Sequence, residues 1–288
     1  MKRHSRIRKT MIVLAAIITA LLIISSIVWF IMFTSNDRSV ITSSYRAMNY
    51  NGAERGYLIT EPNEITADSR IIVGIHGFGD SARKFAYYTA LHNSATQNDV
   101  VIYPNAIKPS EGQRPGWNAG FCCGSGWDQG VDDAGYIVNL VESVKSERGI
   151  KSEGFYAVGF SNGGFMVQKL AADYPGKVQA AAVMSGSIGT KKNALSPKSP
   201  LPILLMHGRQ DKTVSFSGGV TGGDPDFSWL SFSETERVWK ENNGSQSPIS
   251  TIIYPETGHS WKGWRIANFW HSRTEASEES IKFFDNLD

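Results

Sequence analysis

The stretch Phe155-Tyr156-Ala157-Val158-Gly159-Phe160-Ser161-Asn162-Gly163-Gly164 decides how the rest of the chain is read. Its first half is a short apolar run that predicts a buried strand, and the residues after it, 163–174, predict a helix. Between them Gly159-x-Ser161-x-Gly163 places a serine on a sharp strand-to-helix turn. Such a turn strains the backbone at the serine, and the flanking glycines leave room for close approach. It presents the hydroxyl at the carboxyl edge of a sheet, where the helix start adds N–H groups and positive dipole for an oxyanion. The alternative is a glycine-rich turn with an incidental serine, and the strand before and helix after argue against it.

Outward from this turn, short apolar runs alternate with helix-like segments. Strands are expected at 71–75, 100–103, 155–160, 180–184, 203–206 and 251–254, and helices at 83–97, 132–148, 163–174, 232–242 and 274–287. In the segment 132–148, Ile137, Leu140, Val141 and Val144 repeat at helical spacing, Asp132 and Asp133 sit at the positive end, and Gly149 follows the last turn. Ahead of these, 45–50 and 55–60 flank Asn51-Gly52, the dipeptide of tight hairpins. The alternation predicts an α/β fold: a mostly parallel, doubly wound sheet with helices on both faces. Segments 191–200 and 215–229 read as loops, and no internal repeat is visible.

A serine hydroxyl needs a base within hydrogen-bond reach, and the base needs a carboxylate to orient it. Six histidines compete. His4 precedes the apolar segment described below, His92 falls in an expected helix, and His271 precedes the last helix without a strand before it. His76 begins a Gly-rich loop suited to donating an amide, and His207 closes the strand leading to Asp211. His259 follows the strand 251–254 and the turn Pro255-Glu256-Thr257-Gly258, late enough to reach back over the nucleophile. Asp211 follows the strand 203–206 and lies at the same sheet edge, whereas Asp224 and Asp226 lack a strand to fix their direction. Ser161, Asp211 and His259 thus stand in the chain order of α/β-hydrolases.

At 41% apolar and 19% charged the composition is ordinary for a globular chain. The net charge of +2 hides an asymmetry: Lys2, Arg3, Arg6, Arg8 and Lys9 supply the excess, and nothing points to a nucleic-acid surface. From Thr10 to Phe33 the chain runs 24 residues without a charge, long enough for a membrane-spanning helix. Its basic flank predicts a cytoplasmic tail at 1–9, a transmembrane anchor at 10–33, a linker at 34–44 and a catalytic domain at 45–288 outside the cytoplasm. Secretion after signal cleavage is the alternative. Cys122 and Cys123 are adjacent, which excludes paired Cys-x-x-Cys metal sites; two free thiols and an eight-membered disulfide ring both stay open. The histidine and cysteine census implies no metal or organic cofactor.

Six stretches carry a family likeness: His76-Gly77-Phe78-Gly79-Asp80-Ser81, Trp117-Asn118-Ala119-Gly120-Phe121-Cys122-Cys123-Gly124, Asp132-Asp133-Ala134-Gly135, Gly159 to Gly164, His207-Gly208-Arg209-Gln210-Asp211 and Gly258-His259-Ser260-Trp261. From about Tyr45 to its end the chain resembles the polyhydroxybutyrate depolymerase and feruloyl esterase group of α/β-hydrolases, sometimes grouped with the first carbohydrate esterase family. The resemblance implies the same triad, an oxyanion hole from the backbone amides of Phe78 and Asn162, and hydrolysis of a carboxylic ester. The chain departs from that group in having Phe78 where relatives often carry cysteine, and Trp261-Lys262-Gly263-Trp264 after the base.

Trp117 and Trp261, in loops beside these motifs, are candidate substrate contacts; packing in the core is the other role for large aromatics. Asp132 and Asp133 are expected to cap a helix. Two rivals to the esterase remain: a serine peptidase, since the same triad cleaves amides, and a surface binding module that has lost catalysis.

Overall fold

The computed structural model describes residues 42–108, 110–190, 195–220, 228–263 and 273–287. The chain enters through a hairpin of β1 (Thr42–Tyr50) and β2 (Ala53–Glu61), paired in register from Tyr50↔Ala53 to Thr42↔Glu61. Asn51 and Gly52 both have positive φ (50° and 80°), as a two-residue turn matched to strand twist requires. β1 starts at Thr42, so residues 42–44, expected in the linker, belong to the sheet. They escape notice because an edge strand with exposed polar residues shows no apolar run.

Six further strands complete the main sheet: β3 (Ile71–Ile75), β4 (Val100–Pro104), β5 (Phe155–Phe160), β6 (Val178–Met184), β7 (Ile203–Gly208) and β10 (Ile249–Tyr254). Their order is β1-β2-β4-β3-β5-β6-β7-β10, and only β2 runs against its neighbours. β3, β4 and β7 are buried along their whole length, because helices cover both faces. A second, two-stranded sheet pairs β8 (Gly219–Val220) with β9 (Ser228–Trp229), inside the segment expected to be loop.

In chain order the helices are α1 (Ala82–Thr89), α2 (Leu91–Ser94), α3 (Ser125–Asp128), α4 (Asp133–Arg148), α5 (Asn162–Asp173), α6 (Phe232–Asn243) and α7 (Glu275–Asp285). On one face Ile137, Leu140 and Val144 of α4, Met166 and Leu170 of α5 and Trp239 of α6 pack on Ile71, Val73, Ile75 and Leu205. On the other, Phe85 of α1, Leu91 of α2 and Ile281 and Phe284 of α7 pack on Ile72, Val101, Val158 and Leu204. Alternate residues of one strand thus serve opposite cores.

The expected helix 83–97 is broken at Ala90, which adopts the left-handed conformation (φ 47°, ψ 34°) and donates its N–H to the Ala86 carbonyl. The restart is held from outside: the Tyr103 hydroxyl accepts from the His92 N–H (3.1 Å) and pairs with its ring Nδ1 (3.0 Å). Burial pushes His92 down to about 4. Among the described residues no helix is long and apolar enough to cross a membrane, and the segment 10–33 with its basic tail lies outside them.

Candidate active site

β5 ends at Phe160 and α5 begins at Asn162, leaving Ser161 alone at the corner with φ 56° and ψ −122°. A side chain at Gly159 would strike the Gly163 carbonyl, and one at Gly163 would strike the carbonyls of Ile75 and His76, so the turn tolerates neither. The Ser161 N–H donates to the Met184 carbonyl of β6 (3.0 Å), and its own carbonyl accepts the first helical bond from Phe165 (3.0 Å). The strained corner is thereby tied to the sheet on one side and to the helix on the other.

Asp211 leaves the end of β7 through a turn closed by its N–H on the Gly208 carbonyl (3.1 Å). Its carboxylate is wholly buried: Oδ1 accepts from the backbone N–H groups of Thr213 (2.9 Å) and Val214 (3.0 Å). His259 leaves β10 through a turn in which Thr257 accepts from the Gln210 N–H (3.0 Å), so the two loops travel together. Phe160 stacks on the imidazole at 4.9 Å. The structure brings all three sequence-predicted residues into one line: His259 Nδ1 lies 2.7 Å from Asp211 Oδ2, and His259 Nε2 lies 2.9 Å from Ser161 Oγ. Burial alone would favour the neutral acid at Asp211, but hydrogen bonds from His207 and His259 override it and hold the carboxyl well below the usual range.

His207 and His76 make contacts of their own. His207 lies buried beside the carboxylate, 3.4 Å from Asp211 Oδ2, and its Nε2 pairs with the Val214 carbonyl (2.8 Å). His76 is buried and pushed down to about 4; as a neutral ring it donates from Nδ1 to the Gly77 carbonyl (2.8 Å) and accepts at Nε2 from Ala106 (3.2 Å). The rivals His4, His271, Asp224 and Asp226 lie outside the described residues.

The loop after His76 runs past Ser161: a methyl group on Gly77 would stand 3.4 Å from the Ser161 Cβ. Phe78 and Asn162, the expected oxyanion donors, therefore belong to two segments that meet at Ser161. Phe78 is 39% exposed, with the Arg114 guanidinium 4.6 Å from its ring centroid. The Asn162 side chain, buried and not flagged by the motif, accepts from the Trp117 N–H (2.7 Å) and donates to the Trp117 carbonyl (3.1 Å).

Trp117 and Trp261 are corrected as substrate contacts. Trp117 is 0% exposed and Trp261 1%, so neither offers a surface. Trp117 donates from Nε1 to the His76 carbonyl (2.8 Å), and Trp261 donates to Thr274 Oγ1 (2.9 Å) while packing on Phe85. Residue type gave the aromatic ring but not which side of its loop it occupies. Cys122 and Cys123 are joined as the eight-membered ring. Asp132 caps α4, accepting from the Gly135 N–H (2.9 Å), while Asp133 pairs with Arg55 at 2.6 Å in the interior. A cavity of about 450 Å³ lies along Asn118, Gly120, Trp127 and the second half of α5, and none of its lining residues belongs to the hydrogen-bonded line. Among the described residues no group of three or more His, Cys, Asp or Glu is placed to hold a metal ion.

Residues 59–222 match the model of the phospholipase/carboxylesterase family. The chain is 26% identical over 205 residues to "Probable feruloyl esterase C" of Aspergillus terreus, covering 69% of this chain and 65% of that one. It is 24% identical over 199 residues to "Feruloyl esterase B" of Piromyces equi, covering 66% and 36%. The matched segment thus spans less than two thirds of the length of these curated relatives. Among solved structures, an S-formylglutathione hydrolase from Agrobacterium tumefaciens superposes with a TM-score of 0.60 at 11% identity, over 88% of this chain and 98% of that one, a likeness of fold alone.

Proposed function

Since the chain belongs to the phospholipase/carboxylesterase family of α/β-hydrolases, we propose that it is a serine esterase that cleaves carboxylic esters through an acyl-enzyme. The observation that carries this reading is the line Ser161 Oγ, His259, Asp211, with separations of 2.9 and 2.7 Å, built on a serine held at positive φ. Ser161 Oγ attacks the ester carbonyl carbon while His259 Nε2 takes its proton. The oxygen that gains charge is received by the backbone N–H groups of Phe78 and Asn162. His259 then protonates the departing alkoxide, and water repeats the two steps on the acyl-serine, regenerating the enzyme and a carboxylic acid. Asp211, kept ionised by its buried donors, fixes the imidazole tautomer and balances the charge it acquires.

For the substrate, the feruloyl esterases among the relatives favour an ester of an aromatic acid, with acetyl esters and polyhydroxybutyrate as further candidates from the motif likeness. For location, the uncharged run 10–33 behind a basic tail supports a single-pass anchor with the catalytic domain outside the cytoplasm. Cell fractionation with external protease tests it: a membrane-bound, protease-accessible domain is expected, and a soluble cytoplasmic protein would overturn it. For the activity, Ser161→Ala is assayed on a chromogenic short-chain ester. Turnover should fall by several powers of ten; activity equal to wild type would sink the assignment. Matched amide substrates separate esterase from peptidase.

A further inference from the structure

We propose that the loop Trp117–Cys123 is a clamp that sets the two halves of the oxyanion hole against each other, with Trp117 as its positioning residue. The inference rests on the esterase reading of Ser161 and names what holds that site in shape. Trp117 reaches both halves at once. Its indole Nε1 donates to the His76 carbonyl at 2.8 Å, at the root of the loop that carries Phe78. Its own peptide groups pair with the side chain of Asn162, the N–H donating to Oδ1 (2.7 Å) and the carbonyl accepting from Nδ2 (3.1 Å). Asn162 is the residue whose backbone N–H forms the other half. One side chain and its flanking peptides therefore bridge two segments that are 86 residues apart in sequence by number, 76 to 162.

The loop is itself closed and anchored. Ala119 donates to the Cys122 carbonyl (3.0 Å), Cys123 donates to the Trp117 carbonyl (3.2 Å), and the Cys122 carbonyl also receives Asn162 Nδ2 (3.4 Å). Cys122 and Cys123 are joined by a disulfide at the loop's end. At its rear the Asn118 N–H donates to Asp133 Oδ2 (2.8 Å), and Asp133 pairs with Arg55 in the interior. Trp117 is 0% and Asn162 1% exposed, so water does not compete for these bonds. Oxyanion donors accelerate a reaction only where they are already aimed at the place the charge will occupy, and donors carried on loops need a supporting shell to stay there.

A role in packing alone predicts lost stability and nothing more, and the test is built to separate the two. Trp117→Phe keeps an aromatic ring and deletes the bond to His76. Trp239→Phe is the control: Trp239 is 1% exposed and donates to Gln168 Oε1 at 2.9 Å, on the α6 side of the core. Both variants should melt earlier than wild type. Trp117→Phe should also lose about 10- to 100-fold in kcat with little change in KM. It should bind a trifluoromethyl ketone, which forms a tetrahedral adduct with the serine, more weakly by a similar factor, while Trp239→Phe keeps its kcat. Asn162→Asp, which keeps the acceptor and deletes the donor, should move kcat and inhibitor binding the same way and replaces Trp117→Phe if that chain fails to fold. A Trp117→Phe enzyme with wild-type kcat and inhibitor affinity, or a fall matched by Trp239→Phe, overturns the clamp. A wild-type chain without ester turnover would instead overturn the esterase reading.

Discussion

Replacing Asp211 by asparagine changes one atom of the site and separates geometry from charge. The carboxylate uses both oxygens: Oδ1 takes two backbone donors, Thr213 and Val214, and Oδ2 takes His259 Nδ1 at 2.7 Å. An asparagine keeps the two backbone bonds only by pointing its oxygen at them, which turns its NH2 toward His259. Nδ1 must then accept, so the ring's proton moves to Nε2, the atom that faces Ser161 Oγ at 2.9 Å. A base already protonated there cannot take the serine's proton. The loss expected for a triad locked in the wrong tautomer is about 10⁴ in kcat, equivalent to roughly 5.5 kcal/mol. Stability should respond as well. The Asp211 carboxyl is held below its ordinary range in the folded chain, so its contribution to stability is complete above the unfolded value and is lost as pH falls from there through the lower folded value. Asp211→Asn should therefore melt earlier than wild type at pH 7, with the gap narrowing below about pH 4. The assay is kcat on a short-chain ester at pH 7 beside thermal melts at pH 7 and below about pH 4. Activity within tenfold of wild type, or a melting gap that widens in acid, would refute the reasoning.

Two further outcomes follow from the backbone and the buried charges. Ser161 sits at φ 56°, where a non-glycine residue stores about 1–3 kcal/mol and glycine stores little, against an unfolded-chain entropy cost for glycine of about 0.5–1 kcal/mol. Ser161→Gly should be inactive yet more stable than Ser161→Ala by about 1 kcal/mol in urea titrations; the reverse order would show that the corner is unstrained. Asp133→Ala leaves the Arg55 guanidinium buried without its counter-charge, so denaturant unfolding should register a loss of about 3–5 kcal/mol. A loss under 1 kcal/mol would mean that the pair is replaced by water.

The sequence disclosed what local pattern determines. Apolar runs such as Ile71–Ile75 and Ile203–Gly208 are legible because a parallel strand covered on both faces has no polar side. The elbow at Ser161 is legible because its geometry demands glycines at fixed offsets. What stayed hidden depends on partners distant in sequence. The break at Ala90 answers to Tyr103, which no periodicity around residue 90 records. The polar start of β1 gains its structure from pairing with Thr60 and Glu61. Trp117 and Trp261 were legible as aromatic rings near the site, but their burial is set by His76, Asn162 and Thr274, brought in by the fold. The amide of Asn162 was hidden for the same reason: the motif marks its backbone and is silent on its side chain.

In the proposed reaction Ser161, with His259 and Asp211 behind it, carries the acyl group. This role is tested most directly by quenching the enzyme in acid during turnover of an activated acetyl ester and mapping the adduct by peptide mass spectrometry. The prediction is one acetyl group on Ser161, accumulating in the burst phase and absent from Ser161→Ala. An adduct on a different residue, or steady turnover by Ser161→Ala, would contradict it.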